Sequence, residues 1–324
     1  MDSFTGKLAV VTGGGSGMGR ELVRQLAAEG CSVATCDWHA DEVAETVASA
    51  QAGAPAGVRV TAHVADVSEE PQVVRFRDEL LAAHDRGHVD LVFANAAFGG
   101  GGSFVSSDRS EWERTFAGVW QSVYYCARVF LPLLIASGDG VLVNTSSLNG
   151  LWATLGPGLP NTAYSTGKFA VRGFTEALIE DLRVNAPQVR VAVVLPGHVG
   201  TNIMANSRRA HGGPEPDKLT GEALARFRTM LTDGGVVPAD ASDDDVRQAL
   251  ARIENDFRDK APLSAAGAAT IILDGVRAGA WRILVGQDAE LIDASVRALP
   301  EAAYDYQTLF TDVGERAKSA ESAE

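Results

Sequence analysis

The order of apolar segments along the chain is the feature that most restricts its fold. Short runs rich in β-branched residues alternate with amphipathic segments of helical length. Seven strands are predicted, at 7–13, 32–37, 58–67, 89–97, 140–147, 189–197 and 281–286. Helical patterns lie between them, at 18–29, 40–50, 69–84, 110–136, 163–185 and 262–279. Because continuous apolar strands followed by crossover helices are buried on both faces, the pattern predicts an α/β fold with a doubly wound parallel sheet. A ligand then binds at the carboxyl ends of the strands.

Charge and composition argue against several classes of protein. The formal net charge of −14 over 324 residues repels phosphate backbones and anionic lipid surfaces, so we expect neither a nucleic-acid nor a membrane partner. Apolar runs such as 129–135 are shorter than the roughly 20 residues that span a bilayer. The N-terminus has no signal-peptide pattern, which favours a cytoplasmic protein. Cys31, Cys36 and Cys126 lack the spacing of a zinc site and are expected to be buried thiols, so no metal site is predicted.

Residues 203–261 interrupt the alternation with glycine- and proline-rich stretches and an acidic run. Such a long insertion before the last helix and strand predicts a lid over a substrate. The remainder, 1–202 and 262–290, is predicted to form one catalytic domain. The C-terminal tail, 291–324, is polar after about Phe310 and is expected to be frayed or solvated there.

A glycine-rich stretch, "TGGGSGMG", follows the first strand and opens the first helix. Its glycines fall in a G-x-x-x-G-x-G spacing rather than the strict G-x-G-x-x-G. Residues without Cβ let the chain turn tightly and let backbone N–H groups approach a pyrophosphate at a helix N-terminus. A dinucleotide site is therefore predicted, although such a turn can also be purely structural. Its predicted residues are Gly13, Ser16, Gly17, Met18 and Gly19.

Asp37 ends the second strand, 20 residues after Gly17. A carboxylate there can accept hydrogen bonds from both ribose hydroxyls of an adenosine, whereas a 2′-phosphate would meet like charge. The sequence therefore favours NAD over NADP. The ends of the third and fourth strands are expected to extend the same edge with Asp66, Val67, Asn95 and Ala96.

Tyr164 and Lys168 stand four residues apart in "NTAYSTGKFAVRGF", on one face of a predicted helix. Together with the glycine loop, Asn95, Ser147 and "PGHVGT", in this order, the pair resembles the short-chain dehydrogenase/reductase family. The likeness spans about residues 5–202 and the last helix and strand. It implies a Rossmann-type domain and an NAD(P)-dependent oxidoreductase.

The resemblance also implies roles for individual residues. Tyr164 is the general acid or base, Lys168 holds the nicotinamide ribose, and Ser147 hydrogen-bonds the substrate oxygen. A phenol has an ordinary pKa of about 10. One unit charge about 4 Å away supplies roughly 4 kcal/mol, enough to lower this pKa by about three units, so we expect Tyr164 to titrate near neutrality beside Lys168. The family's contacts around the nicotinamide fall here on Pro196, Gly197, Val199 and Thr201.

Val119 stands where the family usually has an asparagine that kinks a helix and holds a water of the proton relay. A valine side chain cannot hydrogen-bond water. Either Gln121, Ser122 or a backbone carbonyl replaces it, or proton exchange is slower, or the enzyme is impaired. His198, in the "PGHVGT" loop, is interpreted as a loop residue in preference to a catalytic base.

The stretch between Ser147 and Tyr164 is a few residues longer than is usual for the family. Its apolar residues Trp152, Leu155 and Leu159 are candidates for the wall of a substrate pocket, or equally for core packing. The apolar side chains of this loop and of the insertion favour an apolar substrate.

The leading hypothesis is an NAD-dependent oxidoreductase that interconverts a secondary alcohol and a ketone by a Ser-Tyr-Lys mechanism. Two alternatives stay open: an NAD-binding sensor or scaffold with little turnover, and an epimerase or dehydratase on the same scaffold. The helices near 110–136 and 163–185 carry apolar stripes beyond what one sheet face needs, and in the family they pair across a two-fold axis. A homodimer or homotetramer is therefore expected.

Overall fold

The computed structural model describes residues 1–321, and over these residues it contains nine strands and twelve α-helices. The strands are β1 (Leu8–Thr12), β2 (Ser32–Asp37), β3 (Val60–Val64), β4 (Leu91–Ala94), β5 (Gly140–Thr145), β6 (Val189–Pro196), β7 (Val199–Gly200), β8 (Leu263–Ser264) and β9 (Arg282–Val285). The helices are α1 (Gly17–Ala28), α2 (Ala40–Gly53), α3 (Glu70–His84), α4 (Arg109–Phe116), α5 (Ser122–Ser137), α6 (Thr162–Asn185), α7 (Ile203–Ala210), α8 (Gly221–Asp233), α9 (Asp243–Asp259), α10 (Ala265–Arg277), α11 (Gln287–Ala298) and α12 (Tyr306–Glu321).

Seven strands form one parallel sheet in the order β3-β2-β1-β4-β5-β6-β9. Every neighbouring pair runs parallel, with Thr12 beside Cys36 and Thr145 beside Val194. The order reverses between β1 and β4, which creates a crevice at the carboxyl edge of the sheet. The predicted doubly wound α/β fold is confirmed, and all seven predicted strands are present, most of them shorter than predicted.

The central strands β1, β4 and β5 are buried along their whole length because helices cover both faces of the sheet. Alternate residues of β1 point to opposite sides: Ala9 and Val11 join one core with α1 and α10, while Leu8 and Val10 join the other with α3, α5 and α6. All five residues of β1 are buried.

One helical run, Arg109–Ser137, is long and apolar enough to cross a membrane by length and composition alone. It comprises α4, a π-helical turn at Ala117–Gln121, and α5. The continuous helix is therefore longer than the apolar runs that were considered in the sequence. Its α5 portion packs on the sheet, and Cys126 and Phe130 are fully buried. A core helix of a soluble protein passes the same test, and we describe the run as a core helix.

The three cysteines are free and buried, as predicted. Cys36 lies in β2 and Cys126 in α5, where both side chains belong to the same core cluster. Burial raises the pKa of the Cys126 thiol to about 12, so it behaves as a small apolar residue at neutral pH.

The segment 203–261 contains α7, α8 and α9 and has a small apolar core of its own. Leu224 and Leu231 of α8 pack there with Val246 and Leu250 of α9. The short strands β7 and β8 lie just before and just after this segment and pair in parallel, so the two ends of the segment lie close together. The division of the chain at 202, 261 and 290 remains a prediction.

After Phe310 the described chain is helical rather than frayed, and residues 311–320 are half-buried or exposed, which fits the solvated alternative of the prediction. The chain forms α12 up to Glu321, and Leu309 is fully buried in a cluster with Trp152, Ile292 and Ala303. Local polarity misled the prediction because the apolar partner of this helix, Trp152, lies more than 150 residues earlier. Residues 322–324 lie outside the described residues.

Candidate active site

A cleft of about 1550 Å³ opens at the carboxyl ends of the strands and extends beneath the segment 203–261. All of the predicted site residues except Gly19 line this cleft. A Cβ at Gly19 would lie 2.0 Å from the carbonyl oxygen of Gly13, so this glycine instead allows α1 to approach the end of β1. The predicted residues that line the cleft are Gly13, Ser16, Gly17, Met18, Asp37, Asp66, Val67, Asn95, Ala96, Ser147, Tyr164, Lys168, Pro196, Gly197, Val199 and Thr201.

The Thr12 hydroxyl connects the carboxyl ends of β1 and β4 at the base of the cleft. Thr12 Oγ1 accepts hydrogen bonds from the backbone N–H groups of Asn95 (3.0 Å) and Ala96 (3.1 Å), and Asn95 Nδ2 donates to the Thr12 carbonyl. Gly13 follows with φ +71°, and a Cβ there would lie 2.9 Å from Ala96 Cα. Only glycine therefore fits at Gly13 both sterically and conformationally.

The N-terminus of α1 is open to the cleft. Its N-cap residue, Ser16, makes no capping hydrogen bond with its side chain, which leaves the N–H groups of the first turn available to an anion. Gly17 has φ +53°, and a Cβ there would lie 3.0 Å from Thr201 Cγ2. This glycine-lined hollow at a helix N-terminus fits the pyrophosphate of a dinucleotide. From α7, Asn206 Nδ2 donates to Ser16 Oγ at 3.0 Å.

Asp37 lies at the end of β2 and holds the glycine loop. Its Oδ2 accepts from the Gly15 N–H (3.0 Å) and its Oδ1 from the His39 N–H (3.1 Å). Burial raises the pKa of the Asp37 carboxyl, and these two hydrogen bonds oppose that shift. Each oxygen keeps a further lone pair that can accept from a ribose hydroxyl.

Two arginines that the sequence did not indicate lie near this end of the cleft, and both are already paired. Arg20 donates to the Gly15 carbonyl through Nε and Nη2. Arg209 of α7 forms an ion pair with Glu42 of α2 at 2.7 Å. Glu42 lies close to the glycine loop, because its Cβ is 3.2 Å from the position that a Cβ would take at Gly15. Glu42 therefore adds a second carboxylate close to Asp37.

The strand ends beyond Asp37 complete this side of the cleft. Asp66 Oδ1 accepts from both the backbone N–H and the hydroxyl of Ser68, and Val67 is buried beside it. Asn95 Oδ1 is buried and has no hydrogen-bond partner within the described residues.

The side-chain hydroxyl of Ser147 lies near that of Tyr164 and lowers the pKa of the phenol. Ser147 Oγ also accepts from the Asn149 N–H at 3.1 Å, which leaves its own hydrogen free to donate. Ser146 is engaged elsewhere, because its hydroxyl donates to the Lys168 carbonyl at 2.7 Å. Of the two serines, only Ser147 therefore faces the phenol.

Lys168 is fully buried, and its Nζ lies 5.4 Å from the centre of the Tyr164 ring. One of its N–H groups donates to the Thr145 carbonyl at 2.9 Å. Burial lowers the pKa of Lys168 to about 7, so the ammonium is only partly charged at neutral pH.

The expectation that Tyr164 titrates near neutrality is not met in this structure. Burial raises its pKa to about 12, and the hydrogen bond from Ser147 opposes this shift only in part. The physical reason is that Lys168 is itself desolvated, so it does not provide the full unit charge that the sequence argument assumed.

Val119 lies in the π-helical turn Ala117–Gln121, so the helix is irregular here without the asparagine. Its side chain is fully buried against α6, with Cγ1 at 2.7 Å from the position a Cβ would take at Gly167. Ser122 does not replace the missing amide, because its hydroxyl donates to the Gly118 carbonyl at 2.8 Å.

The "PGHVGT" loop is held from two sides. Asp288, at the start of α11, accepts from the His198 N–H through Oδ2 at 2.6 Å, and a Cβ at Gly197 would lie 2.1 Å from Asp288 Oδ1. His198 Nε2 lies 2.8 Å from the Phe257 carbonyl of α9. The imidazole therefore joins this loop to α9 and has no carboxylate on that nitrogen, as expected for a loop residue.

Several lining residues were missed from sequence. Trp38 and Phe98 pack with their ring centres 5.2 Å apart, and the ring of His211, directly after α7, lies 5.5 Å from that of Phe98. The position of Trp38, directly after Asp37, was the one available signal. Of the predicted wall residues, Trp152 and Leu155 line the cleft, whereas Leu159 is exposed outside it.

Comparison with known proteins agrees with this geometry. Residues 7–212 match the short chain dehydrogenase family. The chain is 34% identical over 299 residues to the oxidoreductase SadH of Mycobacterium tuberculosis, covering 92% of this chain and 93% of that protein.

Two solved structures are similar. One is a short-chain dehydrogenase/reductase from Burkholderia phymatum in complex with NAD, with a TM-score of 0.71, 30% identity, and 93% of this chain and 95% of the other covered. The second is a metagenomic short-chain oxidoreductase in complex with NADP, with a TM-score of 0.53, 31% identity, and coverages of 60% and 83%. The predicted resemblance is confirmed: the chain belongs to the short-chain dehydrogenase/reductase family and is an NAD(P)-dependent oxidoreductase.

Proposed function

We propose that the protein is an NAD-dependent oxidoreductase that interconverts a secondary alcohol and a ketone on an apolar substrate. The observation that carries the proposal is the position of Ser147 and Tyr164 side by side at the wall of the cleft, with the buried Nζ of Lys168 5.4 Å from the centre of the Tyr164 ring. A substrate oxygen that bridges the two hydroxyls would sit where Tyr164 can give or take a proton and Ser147 can stabilise the developing charge. Bound NAD would supply the hydride acceptor or donor.

The residues around Asp37 support NAD as the cofactor. Asp37 and Glu42 put two carboxylates at the end of the cleft where a 2′-phosphate would have to lie. The two nearby guanidinium groups, of Arg20 and Arg209, are paired with the Gly15 carbonyl and with Glu42. A 2′-phosphate would have to break one of these pairs to gain a cationic partner.

The lid supports an apolar substrate. The cleft exceeds the roughly 300–1,000 Å³ typical of ligand pockets, so it has room for a substrate beside a dinucleotide. Its lid side carries Phe227 and Met230 of α8 and Leu250 and Ile253 of α9.

We also propose a homodimer or homotetramer located in the cytoplasm. Tyr124 on α5, and Phe169 and Ile179 on α6, expose more than a third of their surface in the single chain. A second copy of these two helices would cover this apolar face.

Tyr164→Phe removes the hydroxyl while keeping the ring. We expect the rate with any accepted alcohol to fall by about 10²- to 10⁴-fold, the usual effect of losing a general acid or base, with NADH binding retained. Steady-state kinetics and NADH fluorescence measure the two effects. Tyr124→Phe, a matched substitution on the outer face of α5, should leave the rate unchanged. Equal rates in the parent and Tyr164→Phe would remove Tyr164 from the mechanism.

Asp37→Ala removes the proposed acceptor for the ribose hydroxyls. Hydrogen bonds to a charged group are worth about 1.5–3 kcal/mol, so KM for NAD should rise by about 10- to 100-fold while KM for NADP changes less. Asp41→Ala, at an exposed position in the first turn of α2, is the control and should preserve the preference for NAD. Equal use of NAD and NADP by the parent protein would refute the role of Asp37.

A second candidate function is an NAD-binding protein with little turnover, and the burial of Val119 against Gly167 favours it. Under this alternative, parent protein that binds NADH should convert no alcohol or ketone in a panel, and Val119→Asn should create measurable turnover. Turnover by the parent, with no gain in Val119→Asn, would exclude this alternative.

A further inference from the structure

The loop that follows Ser147 is held by the C-terminal segment of the chain. Trp152 Nε1 donates to the Ala303 carbonyl at 2.7 Å. The Ala153 N–H donates to the Tyr304 hydroxyl at 3.2 Å, and the hydroxyls of Thr154 and Tyr306 lie 3.2 Å apart. Three consecutive loop residues therefore each contact a segment about 150 positions later.

Asn149 connects the loop residues that contact the C-terminal segment to Ser147. Asn149 Nδ2 donates to the carbonyls of Trp152 (3.2 Å) and Thr154 (2.8 Å), and its backbone N–H donates to Ser147 Oγ (3.1 Å). The side chains of Asn149, Trp152 and Thr154 are each less than a tenth exposed. The bonds of Asn149 and Trp152 are thus buried, whereas the Thr154–Tyr306 contact is part-buried and the Ala153–Tyr304 bond is exposed. Together these contacts connect the C-terminal segment to the Ser147 hydroxyl without a break.

Packing reinforces the same connection. The Trp152 indole lies in an apolar cluster with Ile292, Ala303 and Leu309, and its ring centre is 6.1 Å from that of Tyr306. Gly150 completes the turn on the other side, where a Cβ would lie 2.2 Å from Ser146 Oγ and 2.8 Å from the Lys168 carbonyl. The short turn Leu148–Gly150 is therefore fixed between α6 and the C-terminal segment.

We propose that the C-terminal segment 299–321 positions the Ser147 hydroxyl, acting through Trp152, Thr154 and Asn149 as positioning residues. The proposal rests on the proposed function, because it assigns Ser147 the contact with the substrate oxygen. The Asn149 N–H occupies one lone pair of Ser147 Oγ and so directs the hydroxyl hydrogen toward the phenol side of the cleft. A displaced loop would turn that hydrogen away from Tyr164 and from a substrate oxygen. Small displacements of a group that orients the reacting atoms have large effects on rate.

Trp152→Phe tests the proposal, because it keeps an aromatic ring and removes the N–H donor to Ala303. We expect kcat to fall by about 10- to 100-fold, while the Kd for NADH changes by less than about twofold. The pH at which alcohol oxidation reaches half its maximum should move upward, as it should in Ser147→Ala, because the hydrogen bond from Ser147 lowers the pKa of Tyr164. Hydrogen exchange of the peptide 147–160 should be about tenfold faster.

Trp281→Phe is the matched control, since Trp281 is 45% exposed and does not line the cleft. It should leave kcat, the pH profile and the exchange of 147–160 unchanged. Tyr306→Phe removes only the hydroxyl that faces Thr154 and should change kcat, the pH profile and the exchange of 147–160 in the same direction as Trp152→Phe, by smaller amounts. If Trp152→Phe does not fold, the Tyr306→Phe results test the proposal.

Unchanged exchange of 147–160 and an unchanged pH profile in both variants would overturn the proposal. Faster exchange of this peptide in the two variants, combined with a parent protein that converts no alcohol or ketone, would support the mechanical link and count against the proposed function alone.

Discussion

Lys168 holds the site together through two hydrogen bonds to consecutive residues at the end of β5. Its Nζ donates to the Thr145 carbonyl at 2.9 Å, and its own carbonyl accepts from the Ser146 hydroxyl at 2.7 Å. These bonds fix α6 on the carboxyl edge of the sheet. Tyr164 lies one turn earlier on the same helix and is thereby brought to the hydroxyl of Ser147.

The burial that holds Lys168 and Tyr164 in place also raises the free energy needed to ionise the Tyr164 phenol. With its pKa raised to about 12, removing the Tyr164 proton at pH 7 costs about 7 kcal/mol. A unit positive charge about 4 Å away returns roughly 4 kcal/mol at an effective dielectric near 20. Lys168, whose pKa is lowered to about 7, supplies only part of such a charge. The oxidised nicotinamide ring is cationic, so bound NAD would add positive charge to the cleft that Tyr164 and Lys168 line.

Much of this arrangement could be predicted because it depends on local patterns. Continuous apolar strands indicate a sheet covered on both faces, and the glycines and Asp37 occur where a first βα unit needs close backbone approach and an acceptor. The family motifs then identified the residues around the cleft. What failed depends on contacts distant in sequence: the pKa of Tyr164 is set by burial, and α12 is ordered by a tryptophan more than 150 residues earlier. Neither effect leaves a periodic signal in the sequence.

Bound NAD would lower the pKa of the desolvated Tyr164 phenol by placing a positive charge near it. The most direct measurement is a ¹³C NMR titration of tyrosine-labelled protein with and without NAD, with the Tyr164 signal assigned by its loss in Tyr164→Phe. We expect a Tyr164 pKa near 12 in the free protein, falling by about three units, to about 9, when NAD binds. A pKa already near neutrality without NAD, or one that NAD leaves unchanged, would contradict it.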